Sequence, residues 1–213
     1  MQIPLEKRLR KRAHKDIGLL QDELVEMLYG IAPNLVFHGG TAIWRCFSGG
    51  RFSEDLDIYI DNLPENFEQK FTSEIKSRGL TLPKFKQTEN LIFCKVEGPD
   101  AAVKVEINFA AKKKGEAVQY EKMDGSSMVV LCIPLPELVE EKAGAYLDRK
   151  FIRDIYDVFF LLPKAGKPKP NGNVIKLAKE SPLPVDEDNL ANLIYSGAVP
   201  TFAQMLFSIR GRI

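Results

Sequence analysis

Apolar residues recur at helical spacing through Ile17, Leu20, Leu24, Met27 and Leu28, and Gly30 with Pro33 stops the pattern. This predicts an amphipathic helix lying on a core. Leu35-Val36-Phe37 is a short apolar run ending at Gly39-Gly40, and residues 41–47 read as a short helix broken at Gly49-Gly50. The predicted order is strand, glycine turn, helix. Residues 56–60 alternate and are β-rich, which predicts a strand, followed by a helix over 65–76 and strands over 80–85, 90–96, 102–109 and 128–133. Gly98-Pro99-Asp100 and Asp124-Gly125 punctuate that stretch. Past Pro134 and Pro136 the pattern turns helical, over 138–150 and 152–162, with 164–172 a loop and short helices over 186–195 and 201–209. No internal repeat is present. The layout predicts an α+β fold, a mixed sheet flanked by helices over residues 1–133 with a helical part over 134–213.

Composition narrows the function. A chain of 213 residues that is 45% hydrophobic suits one sizeable core with a smaller appendage. Thirty basic against 29 acidic residues, a net charge of +1, excludes a histone-like polycation or an acidic tail, so any nucleic-acid surface must be local. The candidates are the basic segments 7–12, 112–114 and 164–169, each equally readable as a solvated stretch. Cys46, Cys94 and Cys132 are widely spaced and the only histidines are His14 and His38, so neither a zinc site nor a disulfide framework is expected. That usage suits a reducing cytoplasm. Gln21-Asp22-Glu23 interrupts the apolar run that a signal peptide would need, and no run reaches the length of a membrane span.

The chemistry concentrates in carboxylates. Residues two apart on a strand share a face, so Asp55 and Asp57 can point together while Leu56, Ile58 and Ile60 face the core. Alone, such a pair reads as a solvated turn. Upstream, Gly39-Gly40-Thr41 offers a close backbone approach and free N–H groups at a helix start, with the Thr41 hydroxyl as a further donor for a phosphate. Val103, Val105 and Ile107 form the buried face of another strand, leaving Glu106 on the opposite face with Lys104 and Asn108. Two metal ions sharing a site need a third carboxylate of this kind, and oxygen ligands select Mg²⁺ or Mn²⁺. His38 suits a structural hydrogen bond at a strand end, and Trp44 at helical spacing suits the core.

Gly39-Gly40-Thr41, the run from Arg51 through Ser53 to Asp55-Leu56-Asp57, and Lys104-Val105-Glu106-Ile107 together resemble the DNA polymerase beta-like nucleotidyltransferase superfamily. More narrowly, residues 38–60 resemble the AbiEii/AbiGii toxin family, which includes the MenT-like toxins of type IV-like toxin–antitoxin systems. The likeness continues through Glu141-Lys142-Ala143-Gly144-Ala145, Arg149 and Arg153-Asp154-Ile155-Tyr156-Asp157, spanning roughly residues 35–162 in the family's order. It implies that Gly39, Gly40 and Thr41 hold nucleotide phosphates, flanked by Arg51 and Ser53, and that Asp55, Asp57 and Glu106 bind the catalytic metal. Lys142 matches a helical lysine expected at the triphosphate, and Asp157, with Asp154 as the other candidate, matches an acidic motif essential in relatives. Read from the residues alone, Lys142 is a surface charge, and Asp154 and Asp157 pair with Arg149 and Arg153 on one helix face. The resemblance further implies an NTP as donor, a tRNA 3′ end as acceptor and an antitoxin protein as partner. A protein hydroxyl as acceptor, or a module that binds nucleotide or a partner without turnover, are the other readings. The short region after Leu162, interrupted by Lys167-Pro168-Lys169-Pro170, departs from the larger C-terminal bundle of many relatives.

Overall fold

The computed structural model describes residues 3–109 and 112–213. The chain forms two compact units, one of residues 1–48 and 52–133, the other of residues 49–51 and 134–213.

The first unit is built on a seven-stranded mixed sheet. Its strands are β1 (Val36–His38), β2 (Leu56–Tyr59), β3 (Thr81–Gln87), β4 (Leu91–Glu97), β5 (Ala102–Asn108), β6 (Glu116–Glu121) and β7 (Ser127–Cys132), in the order β3-β4-β5-β2-β1-β7-β6. The helices of this unit are α1 (Leu5–Arg8), α2 (Arg12–Ile31), α3 (Gly39–Cys46) and α4 (Phe67–Ser77). Alternation decides which sheet face is covered. Ile92, Cys94, Val96, Val103, Val105, Ile107, Leu56 and Ile58 are buried in one core with Leu24, Leu28, Phe71 and Ile75 from α2 and α4. The intervening residues of β2, β4 and β5 therefore point to the other face, Asp57 and Glu106 among them.

The sequence pattern meets the structure unevenly in this unit. Strand β6 is missed because it is an edge strand with one buried residue, Tyr120, and so carries little apolar alternation. Trp44 is core, as its helical spacing predicted, edge-on to Phe52 at 4.8 Å. Its neighbour Arg45 is buried too, paired with Asp22 and lying 4.7 Å from the ring centroids of both Trp44 and Tyr120.

The second unit is helical: α5 (Leu135–Arg149), α6 (Ile152–Ala165), α7 (Asn173–Glu180), a 3₁₀ turn at Glu187–Asn189, α8 (Leu190–Leu193) and α9 (Phe202–Arg210). Helix α5 starts at Leu135, with Pro136 in its first turn, where a missing N–H loses no helical bond. Helix α6 carries Pro163 near its end and stops at Gly166. Helix α7 was not expected from the sequence. Residues 186–195 hold the 3₁₀ turn and one short helix, after which Ile194 bridges to Arg51. Segment 49–51 is further tied here by Tyr195, whose hydroxyl donates to the Gly49 carbonyl at 2.8 Å.

Candidate active site

In the first unit the site begins where β1 runs into α3. Gly39 has φ +73°, a left-handed conformation that favours glycine, and a Cβ there would collide with the Asp57 carboxylate. The turn and the acid are thus packed directly on one another. The leading N–H groups of α3 have no partner inside the helix, and the His38 side chain does not cap them. The Thr41 hydroxyl is fully buried and donates to the Asp55 carbonyl, clasping the segment before β2 to the turn. Its one proton is committed to that bond, so only the backbone N–H of Thr41 is left for a phosphate.

Register assembles the acids. Asp57 lies opposite His38 on antiparallel β1 and opposite Glu106 on parallel β5, so the three share one row across the sheet. Partial burial, then the Asp57 charge, push the Glu106 carboxyl up from its usual range; His38 acts against this, and Asp55 adds to it. The charges of Asp55, Asp57 and Glu106 are therefore felt in one place. His38 stacks on Tyr59 with ring centroids 3.7 Å apart. Gln21 is a site residue that sequence reasoning missed: its amide donates to the carbonyls of Ser53 at 3.0 Å and Glu54 at 2.9 Å. A signal existed, since Gln21 falls on the apolar stripe of Ile17, Leu24 and Leu28, where a polar residue must find a buried partner.

Among the described residues, no three His, Cys, Asp or Glu side chains converge into a ready-made metal cage. The donor set still fits a hard divalent cation, because Mg²⁺ is typically held by one or two carboxylates together with substrate phosphates. A cation there would relieve the repulsion between the neighbouring Asp57 and Glu106 charges.

In the second unit a separate charged cluster is buried. Asp157 accepts two bonds from Arg51, Nε to Oδ1 and Nη2 to Oδ2, both 2.6 Å, and its Oδ2 lies 3.0 Å from Lys142 Nζ. Asp154 accepts two from Arg149, at 2.7 and 2.9 Å, with Lys142 Nζ 3.8 Å away. Lys142 is thus a buried lysine shared by two buried aspartates, not a surface charge. The pairing differs from the one expected on helix spacing: Arg51, distant in sequence, takes Asp157, and the Arg153 guanidinium lies over the Phe151 ring at 5.5 Å. Burial alone would raise the Asp157 carboxyl, but the Arg51 and Lys142 charges outweigh it and hold it below the usual carboxylate range.

Solved structures share the fold of this chain. JHP933 from Helicobacter pylori superposes with a TM-score of 0.63 at 20% identity, covering 95% of this chain and 90% of that one. MenT4, the nucleotidyltransferase toxin Rv2826c from Mycobacterium tuberculosis H37Rv, superposes with a TM-score of 0.61 at 20% identity, covering 95% of this chain and 84% of that one. At such identity these likenesses show a shared fold. No curated protein sequence matches the chain significantly. The family described as nucleotidyl transferase AbiEii toxin, type IV TA system, matches residues 24–181, about three quarters of the sequence, and the chain therefore belongs to the AbiEii family of nucleotidyltransferase toxins.

Proposed function

We propose that this chain transfers a nucleoside monophosphate from an NTP to the 3′ end of a tRNA in the cytoplasm, depends on Mg²⁺ or Mn²⁺, and is restrained by a cognate antitoxin. The observation that carries the reading is the single row of His38, Asp57 and Glu106, with the Gly39 turn packed on the Asp57 carboxylate. In this reading the N–H groups of Gly39, Gly40 and Thr41 hold the donor's phosphates. Asp55, Asp57 and Glu106 would hold the cation, which when bound neutralises the α-phosphate and acidifies the attacking hydroxyl. The raised Glu106 carboxylate takes the proton of the acceptor hydroxyl, whose oxygen bonds to the α-phosphorus. The bond from that phosphorus to the bridging oxygen breaks, and pyrophosphate leaves. Rate enhancement comes from positioning and charge neutralisation.

Ser53 serves through its backbone, which Gln21 holds in place. In the second unit Lys142 is the proposed cation for a nucleotide phosphate. Asp157 and Asp154, both fully buried and ion-paired, are its positioning residues, and Arg51 completes the clasp on Asp157. The test is to incubate the protein with each α-labelled NTP, Mg²⁺ and tRNA and to separate RNA from protein by electrophoresis. Label in tRNA with release of pyrophosphate is the expected result. Label in protein alone, or none in either with every NTP, contradicts it.

A further inference from the structure

The open face of the sheet carries a second row beside the carboxylates. Lys84 on β3 is the register partner of Lys95 on β4, and Lys95 is the register partner of Lys104 on β5. Three like charges thus sit directly opposite one another across three strands, an arrangement that is destabilising in itself. Lysines on an edge strand have a known use, since they blunt edge-to-edge pairing, and that accounts for Lys84 and its exposed neighbour Lys86 on β3. It does not account for Lys95 and Lys104, which lie on interior strands. Glu97 offsets part of the charge through its bond to Lys95 Nζ at 2.5 Å.

The adjacent row runs Lys86, Phe93, Glu106, Asp57, His38. Phe93 is an aromatic on the face away from the core, one strand spacing from Glu106, and Lys84 Nζ lies 4.6 Å from its ring centroid. Lys104 precedes Glu106 by two residues on the same face, about 7 Å along the strand. Lysines around a half-buried ring, with Lys84 able to leave the ring for a phosphate, are the chemistry of a single-stranded nucleic-acid track, where phosphates meet lysines and a base stacks on the aromatic. A duplex cannot lay a base face on Phe93, whereas an unpaired end can.

Direction follows from the displacement. In-line transfer places the attacking and leaving oxygens on opposite sides of the α-phosphorus. The glycine turn that would hold the departing pyrophosphate lies on the β1 side of Asp57, so the acceptor must come from the β5 side, where both rows lie. We infer that the open face of β3, β4 and β5 is the acceptor site, with Lys84, Lys95 and Lys104 on the phosphates of an unpaired RNA 3′ end and Phe93 beneath one of its bases. This rests on the transfer reaction proposed above and deepens it.

The test uses the full chain and a short 5′-fluorescein-labelled single-stranded RNA with a free 3′ hydroxyl, followed by anisotropy over a salt series. Replacing all three lysines (K84A, K95A, K104A) should lower the magnitude of the log–log salt slope by about 2, since each neutralised phosphate on a single strand contributes roughly 0.7. Phe93→Ala should weaken binding about tenfold with the slope unchanged. The triple arginine variant should keep the slope, and NTP affinity, read separately with a fluorescent NTP analogue, should stay at the wild-type value in all three. Wild-type RNA affinity and slope in the triple alanine variant, or no RNA binding by the wild-type protein, overturns the inference. Failure of the wild-type protein to transfer a nucleotide to any acceptor would instead strike the proposed reaction. Transfer to RNA that is equally fast in wild type and triple alanine variant would leave the reaction standing and sink the acceptor site alone.

Discussion

Gly39 shows how much of the site depends on the absence of a side chain. Its φ of +73° and the Asp57 carboxylate lying where a Cβ would sit make two separate demands for glycine. Gly39→Ala should destabilise by about 1–2 kcal/mol from the backbone conformation alone, and more because Asp57 must move. Urea unfolding would read the first effect and nucleotide transfer the second; a variant with wild-type values in both would contradict the packing described. Asp157 makes a complementary prediction. Its folded carboxyl lies below the unfolded value of about 3.9, so its ion pairs add stability that is present above that pH and lost as the pH falls through the lowered folded value. Breaking a buried pair costs about 3–5 kcal/mol, so Asp157→Asn should be clearly less stable at neutral pH and should lose less than wild type on acidification. Urea midpoints that fall as steeply with acid in the variant as in wild type would contradict this. In both residues the chemistry was legible in the sequence and the partner was not.

At the scale of elements, α7 owes its start to a distant side chain. Glu140 on α5 accepts from the N–H groups of Asn173 at 2.5 Å and Val174 at 3.3 Å, while the Asn173 amide donates to the Glu140 carbonyl at 3.1 Å. Glu140→Ala should fray the first turn of α7 and cost roughly 0.5–2 kcal/mol, the usual range for a lost N-cap. Amide exchange at Asn173 and Val174 would rise in the variant; unchanged protection there would contradict the capping role. This explains why α7 escaped a reading of local signals, although Val174, Leu177 and Ala178 do hold a helical spacing and are buried. The strands that carry the acids were legible because they alternate cleanly, as 102–109 does. Edge strand β6 was not, since its partner β7 supplies the order and only Tyr120 among its own residues is buried. Register was the largest gap. Nothing in the sequence states that Asp57 faces Glu106, or that three lysines fall opposite one another, because pairing between distant strands is set by the packing of the whole sheet.

At the scale of the molecule, the two units hold two different kinds of charged site. The first unit has Asp57 and Glu106 in one row of the open sheet face with Asp55 just before β2, their charges acting on one another; the second has Arg51, Lys142 and Arg149 against Asp154 and Asp157, buried and tightly paired. The span matched by the family, residues 24–181, includes every one of these residues. No helix of the described residues is long and apolar enough to cross a membrane. The central proposal is that the Asp57 carboxylate would hold the cation that neutralises the reacting phosphate. It is tested most directly by comparing wild type with Asp57→Asn in transfer of α-labelled NTP to tRNA, with and without added Mg²⁺, while thermal unfolding monitors the fold. The account predicts a loss of roughly 10²–10³-fold or more in the variant, a similar loss in wild type when Mg²⁺ is chelated, and an intact melting transition. Full transfer by a folded Asp57→Asn protein would contradict it.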